Sequence, residues 1–377
     1  MSGIPIARLL GFEIRVHLSW AFVLAIIVVS AVSQIADLEP TVPEPARWLI
    51  GGAVAAAYVV SALIHELAHA IVARRAGVEN PVIVVLFFGG TTVPGVEARR
   101  PRDEVAISIA GPAASLGLGV GLVVIGAVLT AFPGSIEAVG QVTIAVGLLN
   151  LLLGGINLLP AFPLDGGRLV QGLAWARTGD PTRATRVAAR SGRMLGWGVT
   201  GLGLAAVMLV SPLDGLMVAL LGWFLTSAAR QVERRALFDE LLEGVPASDA
   251  LERDAPEVGA GLTLDTFASR MLDGTVSTSV PVMRDQELVG ILSASQLRRV
   301  RRQRWPELRA EDLMTALETL PRIAPETSLR SVFEELRKSG VDALPVMDVT
   351  GLAGIVTRRG VLEALRSRAE LRGVSFQ

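Results

Sequence analysis

Apolar and polar positions divide the chain into two parts. In the first, apolar stretches recur near 17–36, 48–73, 105–132, 139–160, 192–211 and 213–229. A hydrocarbon core of about 30 Å is crossed by roughly 20 helical residues, so each stretch predicts a membrane-spanning helix, the last at the lower limit of about 17. Gly, Ala and Ser are dense in the third and fifth stretches, as at Gly117, Gly119 and Gly121, and small residues let helix backbones approach closely in lipid. From about Val245 the pattern changes to mixed helix and strand signals, and it repeats. Ser279–Met283 with Val289–Ser293 aligns with Leu344–Met347 and Ala353–Thr357, and a helical segment precedes each copy, at Leu264–Leu272 and Leu329–Lys338. Gln231–Glu243 reads as a helical connector. The expected fold class is a multi-pass α-helical membrane domain of six spans, residues 1–235, followed by a soluble α/β region, residues 236–377.

Charge orients the spans. The segments after spans two, four and six carry Arg74, Arg75, Arg99, Arg100 and Arg102, then Arg168, Arg177, Arg183, Arg186 and Arg190, then Arg230, Arg234 and Arg235. Those after spans one, three and five are mostly acidic, with Asp37, Glu39 and Glu44 against Arg47, then Glu137, then Asp214. The positive-inside rule therefore places both termini in the cytosol of a multi-pass cell-membrane protein. Arg8 and Arg15 ahead of the first apolar run could suggest a cleaved signal, but the region before that run is long and itself hydrophobic. The segment reads as a retained first helix.

Composition agrees with this picture and narrows the chemistry. Mean hydropathy is +0.51, half the residues are apolar (51%) and only 19% are charged. A net charge of −1 gives no electrostatic case for a nucleic-acid partner. The absence of cysteine excludes disulfides, Fe–S clusters and thiolate zinc sites. The histidines are His17, His65 and His69, so a metal site must be completed by a carboxylate.

His65-Glu66-Leu67-Ala68-His69 lies within the second span. Histidines four apart project from one helix face, where two imidazoles can hold one zinc ion and Glu66 can take a proton from the attacking water. The plain alternative is polar pairing between helices. Ionisable residues at mid-span each cost roughly 2.5–3.5 kcal/mol on insertion scales, and three within five residues call for a compensating purpose such as a divalent cation. A second segment, running from Asn157 through Pro160, Pro163 and Asp165 to Gly166, Gly167 and Arg168, follows span four on the same expected side. Alone it reads as a turn. With the histidine pair, Asp165 can complete a His-His-Asp site that leaves one position for water. The prolines would break the helix, and Gly166 and Gly167 would permit a sharp turn aiming the carboxylate inward.

The pairing of H-E-x-x-H in one span with N-x-x-P-x-x-P-L-D-G-G in a later one resembles the site-2 protease family of intramembrane zinc metalloproteases. Phe88-Gly89-Gly90 and the segment from Ala110 through Gly111 and Pro112 to Ser115 match it too, and the likeness covers roughly Ile4 to Arg235. The resemblance implies that His65, His69 and Asp165 bind one zinc, that Glu66 is the catalytic base, and that Asn157 polarises the scissile carbonyl. It further implies a membrane-tethered regulatory protein as substrate, such as an anti-sigma factor or a pro-form of a transcription factor. The apolar run 81–94 has β propensity and could offer an edge strand to an unwound substrate, or merely pack as a re-entrant hairpin.

The repeat in the soluble region resembles a tandem pair of CBS domains, with Ala310–Thr315 as the lead-in to the second copy. That resemblance implies a regulatory module that dimerises and binds adenine nucleotides. Its usual ribose-binding acid, closing a G-h-h-[ST]-x-x-D pattern (h, hydrophobic), is replaced by Gln296 in the first copy and Gly360 in the second. The competing reading is a CBS-regulated metal-ion transporter with His65, Glu66, His69 and Asp165 as a transit site. Apart from Glu66 the predicted spans are nearly free of acids and show no internal symmetry, unlike a transport path. His17 reads as interfacial, Tyr58 as packing two turns before His65, and Arg168 as a residue that orients a loop or meets headgroups.

Overall fold

The structure is a computed structural model describing residues 4–9, 11–16, 19–78, 83–85, 98–253, 255–348 and 351–371. It divides into two compact units, Met1–Ala236 and Leu237–Gln377.

The first unit is dominated by helices α1 (Ser19–Leu38), α2 (Glu44–Arg75), α3 (Pro101–Leu129), α4 (Ser135–Asn157), α5 (Asp165–Thr178), α6 (Pro181–Leu209) and α7 (Pro212–Leu242). All but α5 are long and apolar enough to cross a membrane, giving six candidate spans among the described residues. Proline opens α3, α6 and α7, where its missing N–H costs nothing and its fixed φ suits the first turn. Helix α6 is also capped by Asp180, whose carboxylate accepts from the Thr182 and Arg183 amides at 2.8 and 3.0 Å.

Two helices of this unit differ from the hydropathy reading. Helix α6 starts eleven residues before the expected 192, because its first turns carry Arg183, Arg186 and Arg190 and look like loop by hydropathy alone. Helix α5, 14 residues long, occupies a stretch expected to be loop, and ends at Gly179 in the left-handed conformation (φ 70°).

Small residues weld the spans as expected. A Cβ on Gly126 would lie 2.7 Å from the Gly140 carbonyl oxygen, and one on Gly140 2.8 Å from that of Gly126. Gly119 and Gly147 form the same reciprocal contact seven residues away along the antiparallel pair α3–α4, so the two backbones touch. On the outer side of α3, Val120, Val124 and Val128 form an exposed apolar stripe at a spacing of four, suited to lipid.

A small sheet accompanies the helices. Strands β1 (Ile4–Leu9) and β2 (Phe12–Val16) form an antiparallel hairpin, and β3 (Ile83–Val85) adds to β2 in parallel, as the edge of the order β1-β2-β3. Phe12 and Ile14 pack with Trp20 and Ala62, and Tyr58 stacks on Trp20 at 6.0 Å between centroids, which makes Tyr58 a packing residue.

The second unit holds two short sheets. One has the order β5-β6-β7-β8, from β5 (Val258–Gly259), β6 (Ser279–Arg284), β7 (Glu287–Ser293) and β8 (Thr315–Ala316). The other has the order β4-β10-β9, from β4 (Leu251–Glu252), β9 (Ala343–Asp348) and β10 (Gly351–Thr357). The two copies read helix–strand–strand–helix: α8 (Leu264–Leu272), β6, β7 and α9 (Ala294–Leu297), then, after α10 (Ala310–Leu313), α11 (Leu329–Ser339), β9, β10 and α12 (Arg358–Leu371). Each copy has its own core, around Phe267, Val280 and Leu292 in the first and around Leu336, Leu344 and Ile355 in the second.

Candidate metal centre

Helix α2 presents His65 and His69 one turn apart on a buried face, with ring centroids 4.9 Å apart. Asp165 is the first residue of α5, a position where a carboxylate is favoured by the exposed amides and dipole of the helix N-terminus. Its Oδ2 lies 3.1 Å from His65 Nε2 and 3.2 Å from His69 Nε2, and the two Nε2 atoms are 3.2 Å apart. Among the described residues these three form the group able to hold a metal. Zinc bonds of 2.0–2.1 Å in a tetrahedron place ligand atoms about 3.3 Å apart, so the observed triangle has the size of one tetrahedral face.

The ring orientations agree with that use. His69 Nδ1 donates to the Ile107 carbonyl oxygen at 2.6 Å, which puts the proton on Nδ1 and leaves the Nε2 lone pair facing Asp165. His65 Nδ1 meets Ser115 Oγ at 2.9 Å, and both imidazoles are buried, 4% and 6% exposed. Gly111 lies between these two supports on α3, and a Cβ there would sit 2.2 Å from His69 Nε2 and 2.7 Å from His65 Nε2. The absent side chain is the room in which the two rings stand.

Comparison with known proteins agrees with this geometry. The model of Peptidase family M50 matches residues 53–199, which span both histidines and Asp165. "Putative zinc metalloprotease Rip3" of Mycobacterium tuberculosis is 34% identical over 94% of this chain and 91% of its own length. The chain belongs to peptidase family M50, the site-2 protease family of zinc metalloproteases. "Putative zinc metalloprotease sll0528" of Synechocystis is 28% identical over 98% of this chain and 97% of its own. A solved structure, the site-2 protease from Methanocaldococcus jannaschii, is 25% identical, with a TM-score of 0.43 and coverage of 62% of this chain and 96% of that one. The CBS domain model matches residues 310–367, the second copy of the repeat. The protein is thus a multi-pass zinc metalloprotease of the M50 family with a C-terminal CBS region.

Within this M50 site the other expected residues are placed as follows. Glu66 follows His65 on α2 and is half-buried. Asn157, the last residue of α4, is buried, and its Nδ2 donates to the Leu153 carbonyl of its own helix at 2.9 Å. Arg168 pairs between helices: its Nε donates to Glu104 Oε1 on α3 at 2.8 Å. Gly166 and Gly167 are helical rather than turn residues with positive φ. Their role is close approach, since a Cβ on Gly166 would lie 2.2 Å from the Leu159 carbonyl oxygen and one on Gly167 2.7 Å from the Phe162 amide nitrogen. Both contacts press the start of α5 against the chain leaving α4, which sets the position of Asp165. His17, Phe88-Gly89-Gly90 and most of the run 81–94 lie outside the described residues.

Sequence reasoning missed Glu104, Ile107 and the specific use of Gly111 and Ser115. The last two fell in a segment matched to the family without assigned roles, and a backbone carbonyl such as that of Ile107 leaves no trace in residue type.

Proposed function

We propose that this M50 protease is an intramembrane zinc endopeptidase cutting membrane-tethered regulatory proteins within or near a transmembrane segment. The observation that supports this most is the meeting of His65, His69 and Asp165 from α2 and α5 at zinc-ligand spacing. These three would hold the metal, which when bound supplies Lewis acidity towards the carbonyl and lowers the pKa of water. Glu66 accepts the proton of the attacking water and passes it to the leaving amine nitrogen. Asn157 polarises the scissile carbonyl on reorientation of its amide, and so acts only with substrate in place. Helical carbonyls of a spanning substrate are already hydrogen-bonded, so the segment must unwind. The edge strand β3 is a candidate partner for the extended chain.

In this reading residues 1–235 form the protease domain. Residues 236–377 form a cytosolic CBS pair that regulates or dimerises it, with both termini in the cytosol, and family membership displaces the transporter reading. The deciding experiment compares wild type with Glu66→Gln in reconstituted vesicles containing a membrane-spanning substrate. The variant is expected to bind zinc normally and to lose cleavage by about 10²–10⁴-fold. Full cleavage by a zinc-loaded Glu66→Gln protein would remove Glu66 as the base.

A further inference from the structure

One face of α3 backs both histidines of the triad. Counting along the helix, Ile107 receives His69, Gly111 makes room for both rings and Ser115 meets His65, at intervals of three or four residues. One turn before Ile107, the same face carries Glu104, which is buried (5% exposed) yet ionisable, and which the hydrolytic chemistry does not use. Its partner Arg168 lies three residues after Asp165, one turn along α5. One turn further, a Cβ on Gly172 would sit 3.0 Å from the Val105 amide nitrogen, so α5 lies directly against α3 at this level.

We infer that Glu104 is a positioning residue for Asp165: through Arg168 it fixes the rotation and height of α5, and so the place of the carboxylate over the two imidazoles. Resting on the zinc-ligand reading of the triad, the inference adds a purpose for the buried acid. The arrangement suits that purpose. A buried carboxylate held by a guanidinium has a narrow range of geometries, and one turn along the 14-residue helix it adds a restraint on rotation to the backbone contacts made by Gly166 and Gly167. Asp165 is the only ligand not on α2, so the α5–α3 contact sets the third side of the triangle independently of the histidine pair.

The test uses the full chain in lipid nanodiscs, with zinc affinity measured by competition against a chromogenic chelator and coordination followed by the visible spectrum of the cobalt-loaded protein. Wild type is expected to bind one zinc. Glu104→Gln and Arg168→Gln are expected to bind about 10- to 100-fold more weakly, with an altered cobalt spectrum, and Arg168→Lys, which keeps the charge, is expected to recover part of the loss. In an Asp165→Asn background, Glu104→Gln is expected to add no further loss, because the ligand through which it acts is already impaired. Wild-type affinity in both glutamine variants would overturn the inference. So would an equal loss with and without Asp165, which would mark a general folding defect. A wild-type protein that bound no zinc would instead sink the ligand reading itself, and the positioning role with it.

Discussion

Replacing Gly111 by alanine tests the site with a single methyl group. The added Cβ would lie 2.2 Å from His69 Nε2, 2.6 Å from His69 Cδ2 and 2.7 Å from His65 Nε2. Ordinary carbon contacts are about 3.5–4.0 Å, so the nearest ring must retreat by roughly 1.3 Å. Zinc sites hold their distances to about 0.2 Å, so a displacement of that size removes His69, and with it the triangle, from coordination geometry. For the fold the change is milder. Overpacking costs about 1–3 kcal/mol, and replacing a mid-helix glycine by alanine returns up to about 1 kcal/mol of helix propensity. Zinc affinity is therefore expected to fall by 100-fold or more, equivalent to about 2.7 kcal/mol, while the protein remains folded. Gly117 supplies the control on the same helix, because a Cβ there meets nothing within 4 Å. Gly117→Ala should bind zinc as wild type and unfold no earlier. Chelator competition, thermal unfolding and cleavage of a membrane substrate would be measured for both variants. A Gly111→Ala protein with wild-type zinc affinity and activity would refute the account of how the rings are housed.

Other consequences can be checked with modest effort. Ser115→Ala should weaken zinc binding by about tenfold by freeing the His65 ring, and unchanged affinity would remove Ser115 as its support. Because the chain lacks cysteine, single cysteines report orientation directly. In intact cells a membrane-impermeant maleimide should label a Glu137→Cys protein and spare Gln303→Cys, and the reverse pattern would invert the proposed topology. Isothermal titration of the full chain with AMP and ATP should give no heat. Gln296 is engaged with the Ser293 amide, the Leu313 carbonyl and Thr315, and Gly360 offers no acid. Heat with AMP would instead point to Glu252, which accepts from Thr357 Oγ1 at 2.6 Å and borders a cleft of about 860 Å³ beside Gly360.

The membrane half was legible where hydropathy and helical structure coincide. Spans such as 48–73 and 105–132 correspond to α2 and α3 with shifts of a few residues at the ends. The reading failed where a helix is polar. The first turns of α6 carry three arginines, and α5 mixes Asp165, Arg168, Gln171 and Arg177 with its apolar positions, so neither rises above a loop in an apolar window. The sheet was only half visible. The run containing Ile83–Val85 showed β propensity, but its partner Phe12–Val16 was given no strand reading, because pairing between segments some 70 residues apart depends on tertiary structure rather than local pattern. In the second unit the repeat located β6, β7, β9 and β10 because each buries a dense apolar run, as Val280 and Val282 do in the first copy and Leu344 and Val346 in the second.

The ligand triad was legible for a chemical reason. With two histidines available on one helix face and no cysteine, only a carboxylate could complete the set, and Asp165 stood at the right end of the following span pair. Its support was not legible, and the causes differ at each position of α3. Ile107 acts through a carbonyl that every residue possesses, so no side chain advertises it. Gly111 acts by lacking a side chain, in a helix already rich in glycines that serve backbone packing against α4. Glu104 is one of several charged residues in the first turn of α3, with Arg102 and Asp103, and its residue type does not set it apart. Only its burial and its contact with Arg168 separate it from Asp103, one residue away. The same helix that welds the bundle through Gly119 and Gly126 thus carries, on a face reaching from Glu104 to Ser115, the groups that meet both histidines and Arg168. The pattern is a helical period of three to four imposed on residues of unlike type. Period alone would not reveal it in the sequence, because glutamate, isoleucine, glycine and serine share no property until the histidines and Asp165 are placed against them.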